Sequence, residues 1–390
     1  MTSAEFNPYS WELHEDPYPT YRALRDHAPA YRNDGLGFWA LSRHADVMAA
    51  FKDPQTFSNR EGVSLERSTA DAAATSSFLA MDPPRHDHMR SLVSRGFTPR
   101  RVVDLEPRIR ALTTAYIDRF ADAGSCDLIA DLAGRLPMAV VSELLGIREE
   151  DRDHLRALAD TVVHRADGQS AIPPAAMQAS GQMLLYFRDL VVERSRAPGG
   201  DLVSALLASE LDGAHLAAQE VMAFLFLMVI AGNETTTKLI GNAVYWLWRN
   251  PGERARVRRD PKLIPNWIEE TLRYDNSTQM LARAVTRDVE LHGQQLRAGD
   301  RLLLLVGAAN RDERVFPDPD RFDILRDTSQ HLAFGKGTHF CLGASLARLE
   351  ARVALEEIHR RLPDFELDPA GLVRVHSPNV RGFAAMPMRF

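Results

Sequence analysis

A single thiol, Cys341, lies within Phe334-Gly335-Lys336-Gly337-Thr338-His339-Phe340-Cys341-Leu342-Gly343. The next residues, Ala344-Ser345-Leu346-Ala347, open a helical pattern that is apolar and free of acid. A thiolate is stabilised by backbone N–H groups and by the positive end of a helix, so this setting favours a charged sulfur. Gly335 and Gly337 allow backbone angles closed to other residues. Gly343 leaves room for something large and flat to lie against the chain. A second reactive stretch is Ala231-Gly232-Asn233-Glu234-Thr235-Thr236, where glycine, an acid and hydroxyls interrupt a hydrophobic helix. An acid beside an alcohol can hold and pass protons, and a helical hydroxyl can bond back to the i−4 carbonyl and bend the helix. A third is Glu270-Thr271-Leu272-Arg273, an acid and an arginine on one helical face, able to pair bidentately.

A thiolate facing a flat group is best read as the axial ligand of a haem. The order Phe-Gly-x-Gly-x-His-x-Cys-x-Gly, at Phe334, Gly335, Gly337, His339, Cys341 and Gly343, matches in full the haem-binding signature of the cytochrome P450 family. The chain resembles that family from Asp82-Pro83 to Arg381-Gly382. The resemblance implies haem b (iron protoporphyrin IX) with Cys341 on the iron. It places Gly335, Gly343, Ala231 and Gly232 against the haem, and gives its propionates to His86, Arg90, Arg283 and His339. His86 and Arg90 stand four apart, on one helix face. Glu270 and Arg273, completed by Arg321 of Asp318-Pro319-Asp320-Arg321-Phe322, match the family's structural network behind the thiolate. Glu234 and Thr235 match its acid–alcohol pair: Thr235 would orient a water, and Glu234 would relay protons from solvent for O2 activation. One departure is plain. Many relatives carry a proline after Arg-Tyr-Asp, whereas this chain reads Asn276-Ser277-Thr278-Gln279, in a segment that borders the substrate pocket.

Helix dominates the chain that must position these groups, with a smaller β-rich part near both ends. A hairpin is predicted over Tyr31 to Leu41, turning at Asn33-Asp34-Gly35. Asp82-Pro83 and Thr98-Pro99 read as helix starts, N-cap followed by proline. From there to about Leu211 the pattern is mainly helical. A long helix is predicted from about Leu216 to Asn250, another over Pro265 to Tyr274, and a last from about Leu342 to Arg361. Short strands fall between Asp288 and Leu305, followed by an irregular Asp/Pro/Arg-rich meander to His331. The expected class is mainly α with a smaller β part, the cytochrome P450 fold, as a single domain over residues 1–390.

The whole-chain features narrow the function. A formal net charge of −6 over 390 residues argues against a nucleic-acid coat. Two cysteines without a CxxC exclude a disulfide scaffold and a structural zinc site. Cys126 is read as structural and His88 as surface. Met1 to Ser10 shows no apolar leader, and the longest apolar run, Val221 to Ala231, is shorter than the ~20 residues that span a bilayer. A cytoplasmic monomer without membrane anchor is expected. The pocket is sketched by Leu227, Met228, Ala231 and Thr235 on one helical face, by Phe78 and Leu79 from a covering loop, and by Ser277, Thr278 and Met280 from another side. Val380 and Phe383 close it. These side chains are mostly apolar, and so is the substrate expected. No nicotinamide or flavin fingerprint is present, so electrons must come from another protein; the basic residues Arg100, Arg101, Lys336, Arg348 and Arg352 lead to the expectation of an acidic ferredoxin, with its reductase, as the donor. The expected function is monooxygenation of an organic substrate by O2. A peroxygenase using H2O2 and a non-catalytic haem sensor are the alternatives; the acid–alcohol pair counts against both.

Overall fold

A computed structural model describes residues 6–66, 77–211 and 214–390. Part of the N-terminal segment scanned for a leader, residues 1–5, lies outside them. Seven helices and one sheet carry the argument: α1 (Arg85–Ser94), α2 (Arg135–Leu145), α3 (Arg152–Val163), α4 (Pro174–Arg196), α5 (Ala218–Arg249), α6 (Ile264–Tyr274) and α7 (Ala344–Arg361). The long apolar stretch of the sequence becomes α5. It is buried on nearly every side because α2, α3, α4, α6 and α7 all pack against it. A helix that is apolar all round must be enclosed in this way. By length and composition α5 would also cross a membrane, but 61% of its most apolar stretch is buried within the fold, which makes it a core helix. It starts where Glu220 accepts the Ala217 N–H at 3.0 Å and stops before Pro251.

The main sheet joins β1 (Ala30–Asn33), β2 (Phe38–Leu41), β3 (Phe57–Ser58), β4 (Leu281–Val285) and β5 (Arg301–Leu304) in the order β1-β2-β5-β4-β3. β5 runs parallel to β2 and antiparallel to β4, with Leu302 opposite both Trp39 and Arg283. Side chains alternate across a strand. Along β4, Leu281 and Arg283 therefore face the large cavity, while Ala282 joins Phe38 and Leu303 in a core on the other side.

Two local expectations shift. The hairpin forms, but its turn takes the four residues 34–37, because the Asn33 side-chain oxygen accepts the Leu36 N–H at 2.7 Å and widens the loop. Asp82 does not cap α1 with its side chain. That carboxylate turns to the end of β3, accepting Asn59 N–H at 2.9 Å and the Ser58 hydroxyl, and α1 begins three residues later at Arg85. Thr98 does cap its helix, accepting the Arg101 N–H.

Candidate active site

α5, β4, α7 and the loop before α7 enclose a cavity of about 1520 Å³, counting the part continuous with solvent. Cys341 opens onto it. Its N–H donates to Phe334 O at 2.9 Å, which closes the loop into a tight finger. Gly337 sits in that finger at φ +70, where a Cβ would lie 2.7 Å from the Phe51 carbonyl. No larger residue fits there. Gly343 precedes α7, and a Cβ on it would meet nothing within 4 Å, so the cavity floor beside the sulfur is open. Burial pushes the Cys341 thiol up, opposed by the Gly343 N–H and by the charges of Arg90 and Arg348. The first turn of α7 carries no acid, so its positive end reaches the sulfur undiminished.

Cationic and donor groups crowd one wall. Arg90, Arg283 and His339 line the cavity, and the His86 ring lies 4.0 Å from that of His339, centroid to centroid. His86 Nε2 and both ring nitrogens of His339 are buried without a hydrogen-bond partner among the described residues. Among the described residues Arg283 donates only to the neighbouring Ala282 carbonyl, at 2.7 Å, and burial pushes it down to about 10. His339 is pushed down to about 3 by burial and then by the charges of His86, Arg283 and Arg90. Buried polar atoms are ordinarily paired. Three orphaned imidazole nitrogens and two arginines, beside an open floor and a thiol, fit a flat group carrying anionic arms. The haem that the sequence implies has that chemistry.

Across the cavity, Ala231, Gly232 and Thr235 line the α5 wall. The Thr235 hydroxyl donates back to Ala231 O at 2.7 Å. The Ser277 hydroxyl donates to Thr235 O at 2.7 Å, so the segment after Asp275 satisfies a carbonyl of α5. Gly232 sits beside Val141, which an added Cβ would approach to 3.6 Å. Glu234 is buried but does not line the cavity. It turns instead toward Asn233 and Lys238, with Asn233 Nδ2 at 3.2 Å and Lys238 Nζ at 3.4 Å.

Phe78, Leu79, Leu227, Met228, Ser277 and Thr278 all reach the cavity. Met280, Val380 and Phe383 do not. Met280 shares the parity of Ala282 and falls in the core behind the sheet. Val380 pairs with Thr278 and faces a small void beside Leu13 and Tyr21. Phe383 is wedged between Tyr245, at 4.8 Å, and the Arg374 guanidinium, at 4.1 Å.

Behind the thiol finger, Glu270 and Arg273 form two 2.7 Å bonds and are wholly buried. Arg273 also donates to the carbonyls of Asn310 and Pro319, both at 3.0 Å, and Glu270 accepts the Asp323 N–H at 2.9 Å. The third member differs from expectation. The Arg321 side chain points outward to Asp323, 63% exposed, and only its carbonyl meets Arg273. Arg326 takes its place, with Nε 3.4 Å from Glu270. Both arginines lie in the same meander, so spacing alone could not choose between them.

Three further charged sites escaped the sequence reading. Asp275 is fully buried among Tyr18, Trp246 and Arg381. Glu350 of α7 borders the cavity, and burial pushes its carboxyl up to about 8. Lys238 is the third. Each is a charged residue at an apolar-face position, a signal that periodicity carries but that surface positions imitate. Cys126 is half-buried in a short strand, and burial pushes its thiol up to about 12, as suits an inert residue.

The cytochrome P450 family model matches residues 188–387. Cytochrome P450 123 of Mycobacterium tuberculosis (strain H37Rv) is 54% identical over 385 residues, covering 98% of this chain and 96% of its own. The cytochrome P450 monooxygenase PikC of Streptomyces venezuelae is 39% identical, covering 96% of this chain and 91% of its own. Among solved structures, CYP109E1 from Bacillus megaterium in complex with testosterone matches with a TM-score of 0.91 at 32% identity, covering 97% of this chain and 98% of that one. With this likeness over nearly its whole length, the chain belongs to the cytochrome P450 family of haem b monooxygenases.

Proposed function

We propose that the protein inserts one atom of O2 into a compact, mostly apolar organic molecule, drawing electrons from a separate ferredoxin and reductase. The single observation that carries this reading is the pairing, across one cavity, of the Cys341 thiol with the Thr235 hydroxyl. Bound there, haem b supplies the redox centre at which O2 is activated.

The residues then have distinct tasks. Cys341 holds a negative sulfur toward the iron, helped by the Gly343 N–H and the start of α7. Arg90, Arg283, His86 and His339 would take the propionates, which would supply the partners that the buried His86 and His339 ring nitrogens lack among the described residues. Gly335, Gly343, Ala231 and Gly232, which line the cavity, would border the bound haem. Thr235 gives up its bond to the Ala231 carbonyl and presents its hydroxyl to a water in the cavity. Glu234 supplies the proton from behind α5. Glu270, Arg273 and Arg326 hold the meander, and with it the finger that carries Cys341.

Phe78, Leu79, Leu227 and Met228 give the substrate an apolar seat, with Asn59, Ser277 and Thr278 as polar marks. A steroid occupies the corresponding enzyme of Bacillus megaterium, and a rigid polycyclic molecule of that kind suits these walls. For the ferredoxin, Arg100, Arg101 and Lys336 remain as available charge. Arg348 and Arg352 are engaged, the first with Glu269 and the second with Glu106 and Glu356. A monomeric, single-domain, cytoplasmic enzyme is part of the same reading.

The test is reconstitution with NADPH, a ferredoxin reductase and a ferredoxin, using a substrate chosen by its spin-state shift. Thr235→Ala should keep its haem but divert electrons from product to hydrogen peroxide. Unchanged coupling in that variant would remove Thr235 from the proton path. Turnover with H2O2 that exceeds ferredoxin-driven turnover would favour a peroxygenase.

A further inference from the structure

Two acids stand side by side on α6 and hold different things. Glu270 pairs with Arg273 and the meander, whereas Glu269 bridges the two ends of the thiol finger. Arg348 of α7 donates to Glu269 twice, from Nε at 2.5 Å and from Nη2 at 2.9 Å. His331, three residues before Phe334, is the third partner, with its Nε2 3.0 Å from Glu269 Oε2. The Ala333 N–H donates to His331 Nδ1 at 3.1 Å, so the ring proton sits on Nε2 and points at the carboxylate. Burial would raise the Glu269 carboxyl, but the bonds from Arg348 and His331 outweigh it and hold the group at about 2. Between these two grips lies Phe334. Its ring carries the Arg348 guanidinium at 4.5 Å, and its carbonyl takes the Cys341 N–H at 2.9 Å. Against the burial that raises the Cys341 thiol stand the Gly343 N–H and the charges of Arg90 and Arg348. Glu269 thus holds one of the two cations that act on the sulfur.

We propose that Glu269 is a positioning residue that fixes the Arg348 guanidinium against Phe334, and that the two residues, acting as one unit, set the reduction potential of the bound haem through the Cys341 sulfur. The inference rests on Cys341 as the haem ligand. Reduction adds one electron from an external donor and no compensating charge, so a cation held near the sulfur favours the reduced form. Groups one shell out from a metal ligand tune the metal in this way. The distance of the cation decides how strongly it acts. A carboxylate holds the planar guanidinium at two points and fixes its place. Without that hold the Arg348 side chain, 36% exposed even when paired, turns to water and is screened there. Loss of an anion would by itself raise the potential. A fall on removing Glu269 therefore marks the departure of the guanidinium.

The test is a dithionite titration of the holoprotein in the presence of redox dyes, without substrate or ferredoxin. Arg348→Met should lower the potential. Arg348→Lys, which keeps a cation opposite Glu269, should return it toward the wild-type value. Glu269→Leu should lower it as well. The double variant Glu269→Leu/Arg348→Met should lie no lower than Arg348→Met alone, because the second change has nothing left to release. Every variant should keep the red-shifted ferrous–CO Soret band, since the sulfur stays on the haem. A potential unmoved in Arg348→Met, a rise in Glu269→Leu, or losses that add in the double variant would overturn the proposal. Absence of that band from the wild type would instead overturn the reading of Cys341 beneath it.

Discussion

Arg326 Nε lies 3.4 Å from Glu270 Oε1, with a tenth of the arginine side chain exposed. The same guanidinium donates to Asp318 O at 2.8 Å and Arg321 O at 3.2 Å, so it ties the meander to α6. Loss of one partner from a buried ionic network is expensive. Arg326→Ala should cost about 2 kcal/mol in denaturant unfolding and lower the haem content of the purified protein. Arg321→Ala, at an outward side chain, should stay within about 0.5 kcal/mol. Equal losses in the two variants would restore Arg321 to the network.

The close-packed His86 and His339 rings, tilted by 49°, hold three nitrogens that find no partner among the described residues. A charge-assisted hydrogen bond to an anionic arm contributes about 1.5–3 kcal/mol. Either His86→Ala or His339→Ala should therefore speed haem transfer to an excess acceptor by about tenfold or more. Native haem retention in both variants would place the anionic arms elsewhere.

Asp275 contributes to the acid lability of the fold. Burial alone would raise its carboxyl, but Arg381 and then Arg374, with bonds from Tyr18 and Trp246, outweigh it and hold the group at about 2 against an ordinary value of 3.8. A carboxylate depressed in the folded state contributes stability above its unfolded value, and that stability is lost as pH falls through the folded one. About 2 kcal/mol should disappear between pH ~4 and ~2. Asp275→Asn should flatten this part of the stability–pH curve. A wild-type slope in the variant would assign the acid lability to other groups.

Ser277 ties the segment after α6 to α5. Its hydroxyl caps the Thr235 carbonyl at 2.7 Å. Ser277→Ala removes one partly buried hydrogen bond and should cost about 1 kcal/mol. Ser277→Thr keeps the donor and should cost less. Identical melting of all three forms would show that water satisfies the carbonyl equally well.

The chain's larger plan was legible because its signals were redundant. The apolar run of α5, the proline that ends it and the glycine-framed thiol each pointed to one local structure, and the motifs fixed their order. What sequence could not show was the direction of side chains. Met280 and Ser277 lie three residues apart in one segment, yet β4 begins between the cavity-facing residues and sends Met280 to the opposite core. Arg321 and Arg326 are five residues apart in a meander without periodicity, and only the path of the backbone decides which reaches Glu270. Glu234 was legible as a residue but not as a geometry. It pairs behind α5 with Lys238, and the lysine stem has room only because residue 382 is glycine.

The central claim is that the Cys341 sulfur, as thiolate, binds the haem iron. Cys341→Ser, purified with haem, reduced and exposed to carbon monoxide, tests it most directly. The strongly red-shifted Soret band of the wild-type ferrous–CO complex should be absent from the variant. A variant that kept this band at wild-type intensity would show that another residue ligates the iron.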